Sequence, residues 1–87
     1  MGRLPGMAEE IDREAGEPVW SQLAGILRAR IAGGDYRPGK LLPSVRTLAQ
    51  TYGLADGTVK HALAQLRDEG LVQPAAGRGW YVARAPR

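Results

Sequence analysis

Cysteine is absent and histidine occurs once, at His61. The first fact excludes a disulfide scaffold, a thiolate zinc site and a cysteine nucleophile; the second leaves no histidine cluster for a metal ion. Phenylalanine is also missing, and many of the hydrophobic residues that make up 44% of the chain are alanines. A core must therefore rest on leucine, valine, isoleucine, two tryptophans and a tyrosine. No apolar run approaches the ~20 residues of a membrane span, and the N-terminus lacks the apolar stretch of a secretory signal. No glycine motif that cradles phosphate and no nucleophile–base pair is present, so neither enzymatic activity nor a cofactor is expected. The chain has 87 residues, enough for one small domain that buries about 60–65% of its unfolded surface. The expectation is a soluble, cytoplasmic protein that makes no membrane contact.

Charge is unevenly spread. Residues 1–17 carry Arg3 and Arg13 against Glu9, Glu10, Asp12, Glu14 and Glu17, a net of −3. Residues 18–87 carry ten Lys or Arg against Asp35, Asp56, Asp68 and Glu69, a net of +6. A basic domain behind an acidic leader points to a polyanionic partner, with nucleic acid the first candidate. The expected organisation is a flexible acidic leader over residues 1–16, a folded domain over 17–84 and a tail over 85–87.

From Pro18 the apolar spacing turns helical. Val19, Leu23, Ile26, Leu27 and Ile31 fall on one stripe, Pro18 suits the first turn, and Gly33-Gly34 ends the helix. Asp35-Tyr36-Arg37-Pro38-Gly39 is turn chemistry, and Lys40-Leu41-Leu42 reads as a very short strand. Ser44 is placed to cap a second helix with Val45, Leu48, Ala49 and Tyr52 on its apolar side. Its capping box is incomplete, because Thr47 stands where Glu or Gln would close it. After Gly53 a third helix begins at Ala55 or Asp56, with Val59, Ala62, Leu63 and Leu66 inward and Gly70 just past its end. Two helices across a tight glycine-containing turn make a helix-turn-helix. Beyond Gly70 the pattern alternates: Leu71-Val72-Gln73 and Trp80-Tyr81-Val82-Ala83 read as strands joined by Pro74–Gly79.

Several segments together resemble the GntR-type winged-helix DNA-binding domain. They are Pro18-Val19-Trp20 with Gln22-Leu23, Gly34-Asp35-Tyr36-Arg37-Pro38-Gly39, Leu42-Pro43-Ser44-Val45-Arg46-Thr47-Leu48-Ala49, Thr58-Val59-Lys60-His61-Ala62-Leu63, Glu69-Gly70-Leu71-Val72 and Gly77-Arg78-Gly79-Trp80-Tyr81-Val82. The resemblance covers roughly residues 17–83. It implies an α+β, mainly helical winged helix-turn-helix: three helices and a two- to three-stranded β-hairpin wing. It also implies a bacterial transcriptional regulator, expected to be a repressor, that binds a palindromic operator as a homodimer. In such proteins the arginine matching Arg46 and the start of the third helix contact DNA, and the wing glycines approach the minor groove. Two departures stand out. Ala55-Asp56 occupies the place where the family has Ser-Arg, and the chain stops at Arg87 where family members continue into a further domain. No small-molecule effector is expected on the 87 residues.

The candidate DNA-binding residues are Ser44, Arg46, Thr47, Asp56, Gly57, Thr58, Lys60, His61, Gly77, Arg78 and Gly79. The helix over 56–69 would enter the major groove, reading bases from its N-terminal turns, and the wing over 75–80 would meet the minor groove. Lys60 can donate to guanine or phosphate, His61 can donate or accept, and Thr58 can reach phosphate or base. Each has a plainer alternative as a solvated surface residue, and Gly57 as a glycine tolerated at a helix end. Asp56 has two open roles: a helix cap suited to the dipole, or an acceptor for a cytosine amino group. Arg46 is placed for phosphate or base contact. Arg78, between two glycines, could enter a narrow minor groove or serve as an ordinary turn residue. Trp80 and Tyr81 alternate, so one of them is needed for the core. Arg28, Arg30 and Arg37 are expected to add to the basic field. The reading from another class is a winged helix used as a protein–protein interaction module with weak or no DNA binding.

Overall fold

The computed structural model describes residues 10–84; residues 1–9 of the expected leader and the tail 85–87 lie outside them. Helix α1 spans Val19–Ala32. Pro18 is its N-cap, and its carbonyl accepts from the N–H groups of Ser21 and Gln22. Leu23, Ala24, Ile26 and Leu27 are buried, while Val19 and Ile31 at the ends of the expected stripe are half-buried.

Helix α2 spans Val45–Tyr52 and α3 spans Asp56–Asp68. Ser44 caps α2: its Oγ accepts from the Thr47 N–H at 3.0 Å and its hydroxyl donates to Thr47 Oγ1 at 2.9 Å. The two short side chains thus satisfy one another at a helix start that has no acidic residue. Gly53 ends α2 with φ +69°, a left-handed conformation that glycine adopts without strain. That reversal turns the chain inward at Leu54, whose N–H bonds the Ala49 carbonyl at 2.9 Å and whose side chain packs against the core. Helix α3 buries Val59, Ala62, Leu63 and Leu66, the four residues its spacing nominates, and lies against both α1 and α2.

Strands β1 (Val72–Ala75) and β2 (Gly79–Val82) pair antiparallel, with Val72 opposite Val82 and Ala75 opposite Gly79. The expected loop over Pro74–Gly79 is shorter in the structure, because the ladder runs on through Pro74, opposite Trp80. β1 lies at the edge of the sheet, where proline is tolerated. The very short strand expected at Lys40–Leu42 is a single bridge between Leu41 and Tyr81 on the other side of β2. It is held by Leu42 N–H to the Trp80 carbonyl at 2.8 Å and Val82 N–H to the Lys40 carbonyl at 2.9 Å. Alternation settles the aromatic pair. Trp80 packs against the core on the side of Val82, while Tyr81 donates its hydroxyl to Gln73 Oε1 at 3.1 Å.

The described part of the expected leader makes contacts with the domain. Ile11 packs against the core, and the Gln22 amide bridges Asp12 and Glu17 by donating to both carbonyls and accepting from the Asp12 N–H. Arg13 donates to the carbonyl of Gly53. One apolar side chain among the acids, and one glutamine facing them from α1, suffice to dock the segment.

Candidate nucleic-acid interface

The turn over residues 53–55 brings the starts of α2 and α3 side by side, and the two side chains that meet there carry opposite charge. Arg46, in the first turn of α2, places Nη2 at 3.5 Å from Asp56 Oδ2, with 72% of the arginine side chain and 44% of the aspartate side chain exposed. A contact this long and this exposed contributes little to stability.

Asp56 is not the N-cap. Ala55 holds that position in an extended conformation and its methyl group has nothing to offer the free N–H groups, so α3 has no side-chain cap. The capping role for Asp56 is thereby corrected. One residue further on, at the first helical position, its carboxylate still lies near the positive end of the helix dipole but turns to Arg46. At about 100° per residue, Lys60 falls one turn beyond Asp56 and shares its side of the helix. Lys60 and Gly57 are both exposed, and a Cβ built on Gly57 would meet nothing within 4 Å. Thr58 is half-buried on the flank.

His61 is exposed on α3. Its ring stacks on the Trp20 indole of α1, centroids 4.0 Å apart and planes 15° from parallel. At about 100° per residue His61 lies beside Gly57, opposite the buried stripe, and the half-buried Trp20 of α1 reaches it at the edge of that exposed side.

At the hairpin tip Arg78 is exposed between Gly77 (φ +69°) and Gly79 (φ +99°), and its N–H closes the turn onto the Ala75 carbonyl at 2.8 Å. Arg78 also lines a shallow groove on the outer face of the wing with Gly39, Leu41, Ala75 and Tyr81. The contact and the helical repeat therefore unite Arg46, Asp56 and Lys60, with Gly57 and His61 on the adjoining exposed side of α3. Ser44 and Thr47, exposed beside Arg46, are engaged with each other, and Gly77, Arg78 and Gly79 belong to a separate element.

Two of the three arginines expected to add to the basic field, Arg28 and Arg30, are paired within the domain. Arg28 forms a two-pronged pair with Glu69, at 2.8 and 2.7 Å, and Arg30 pairs with Asp35 at 3.1 Å. Both serve the fold's own acids, while Arg67 lies 3.3 Å from Asp68. Hydrogen bonds from Arg28 and Gln65 hold the Glu69 carboxyl at about 2, well below its usual range. Among the described residues, Lys60 and Arg78 have no ion-pair partner. Sequence reasoning missed the Arg46–Asp56 and Trp20–His61 pairs. Opposite charges in the first turns of two consecutive helices were the available signal for the former; the latter joins distant segments and left none. Among the described residues no helix is long and apolar enough to cross a membrane.

Residues 20–82 match the family described as bacterial regulatory proteins, gntR family. An uncharacterized HTH-type transcriptional regulator of Rhizobium meliloti, RB1450, is 37% identical over 93% of this chain and 33% of its own length. The chain thus spans about a third of that relative. Among solved structures, YtrA from Sulfolobus acidocaldarius, a GntR-family transcription factor, superposes with a TM-score of 0.81 at 34% identity, over 91% of this chain and 83% of that one. The DNA-binding domain of AraR, solved in complex with operator ORE1, gives a TM-score of 0.76 at 26% identity, over 83% and 88% of the two chains.

Proposed function

The chain belongs to the GntR family of bacterial regulatory proteins, and from that membership we propose that it is the sequence-specific, double-stranded-DNA-binding part of a transcriptional regulator. Helix α3 enters the major groove by its first two turns, and the 75–80 wing lies at the minor groove. Arg46, Asp56, Gly57, Thr58 and Lys60 face the bases and the nearby backbone, with the Ser44 and Thr47 hydroxyls beside them. Arg78 reaches the duplex from the wing tip, with Gly77 and Gly79 shaping that turn. His61, exposed beside Gly57 and stacked on Trp20, lies at the edge of the same surface. The observation that carries this reading is the exposed surface at the start of α3, shared by Arg46 and Lys60, in a fold that AraR uses on operator DNA.

One domain of this size makes few phosphate contacts, so useful specificity calls for two copies on adjacent half-sites of a palindromic operator. The deciding experiment is a fluorescence anisotropy titration of a random-sequence duplex at increasing salt. Binding at low salt, weakening with a slope of about −0.9 in log affinity per phosphate neutralised, is the expected result. Absence of binding at low salt would leave the fold to the protein–protein alternative.

A further inference from the structure

Asp56 is the acid that the proposed interface does not at first sight accommodate. A carboxylate carried into a DNA groove is repelled by the phosphates on either side, and here it neither caps α3 nor lies in a tight salt bridge. Its Oδ2 has one long contact with Arg46, and its Oδ1 has no hydrogen bond among the described residues. Gly57 beside it leaves open space, so the carboxylate is among the first side-chain groups an approaching base edge would meet. The α3 dipole favours an acid at this first helical position, yet leaves the hydrogen-bonding capacity of the carboxylate largely unspent.

The major groove supplies a chemical reason. Its edges expose amino donors only at cytosine N4 and adenine N6, and a carboxylate, which can only accept, pairs with cytosine N4. Adenine sets an acceptor, N7, beside its donor and is better matched by an amide. The guanine opposite cytosine presents O6 and N7, both acceptors, which an arginine fork fits. We propose that the Arg46–Asp56 pair, joined across the helix-turn-helix at 3.5 Å, is a specificity device: Asp56 accepts from a cytosine N4 amino group while Arg46 offsets its charge and offers its remaining N–H groups to guanine. Paired in this way, the two side chains add almost no net charge to the interface. They contribute little to attraction for arbitrary DNA and act chiefly in choosing among sequences. The inference rests on the DNA-binding reading above and adds the base that is read.

The test is parallel selection from a random duplex pool by the wild-type chain, Asp56→Asn and Asp56→Ala, with thermal midpoints measured alongside. The wild type is expected to demand a C·G pair at one position of each half-site. Asp56→Ala should relax that position roughly fivefold or more while the other positions keep their preference, and its affinity for random duplex should hold or rise. Asp56→Asn should move the preference toward adenine, since an amide both accepts and donates. A loss of folding cannot mimic a change confined to one base position. If all three proteins select the same operator, Asp56 reads no base and the inference falls while DNA binding stands. If the wild type binds no duplex even at low salt, the DNA-binding reading fails and takes this inference with it.

Discussion

At His61 an exposed imidazole lies flat on an indole, one residue after Lys60 on a helix proposed to read DNA. An aromatic pair of this geometry stabilises a fold by about 0.5–1.5 kcal/mol beyond its buried area. His61→Ala should therefore lower the unfolding free energy, measured by urea titration, by about 1 kcal/mol and leave the selected operator unchanged. A base preference lost at one position, with stability intact, would make His61 a reader of bases instead. Gly25 makes the opposite case, that of a residue with room to spare. It sits inside α1, and a Cβ there would meet only Arg28 Nη1, at 3.9 Å. Alanine is favoured over glycine in a helix interior by up to about 1 kcal/mol, so Gly25→Ala should raise the urea midpoint by the equivalent of about 0.5–1 kcal/mol. An unchanged or lower midpoint would mean that the added methyl group disturbs Arg28 in its pair with Glu69.

Among the elements, α2 depends most on its cap. It has eight residues and no acidic side chain in its first turn, so the free N–H groups there rely on Ser44. Ser44→Ala should cost about 0.5–2 kcal/mol in thermal or chemical unfolding. A loss well below that range would assign the start of α2 to packing by Val45 and Leu48 instead. This cap and the apolar stripe of α3 were legible in the sequence because each depends on residues within one or two turns of each other. The wing was less so. Two strands of four residues carry too little alternation to fix their ends, and Pro74 reads as loop until the pairing shows β1 to be an edge. The start of α3 was legible to within one residue, yet that residue matters: with Ala55 at the cap, Asp56 becomes the first helical residue and turns to Arg46. The types of residue at the candidate site could be read directly, but which of them share a surface could not. That is decided by how α2 and α3 pack against each other.

The whole molecule arranges its charges by separating those that hold the fold from those offered outward. Of the acids beyond residue 17, Asp35, Asp68 and Glu69 are met by Arg30, Arg67 and Arg28, and Asp56 by Arg46. Among the described residues, the Arg28–Glu69 pair is the one ion pair that spans elements far apart in the chain, fastening α1 to the residue that closes α3. Its strength should be visible in the pH dependence of folding. Hydrogen bonds from Arg28, then Gln65, lower the Glu69 carboxyl from an ordinary value of 4.5 to about 2 in the folded chain. A depressed carboxyl adds stability that is fully present above its unfolded pKa and is lost as pH falls through the folded one. Wild-type unfolding free energy should therefore decline between about pH 4.5 and 2. Glu69→Gln has no carboxyl to titrate, so it should be less stable than the wild type at pH 6, decline less steeply below pH 4.5, and converge on the wild type near pH 2. Chemical unfolding at a series of pH values decides the matter: curves that stay parallel down to pH 2 would show that the pair carries no folding energy and that apolar packing alone fastens α1 to α3.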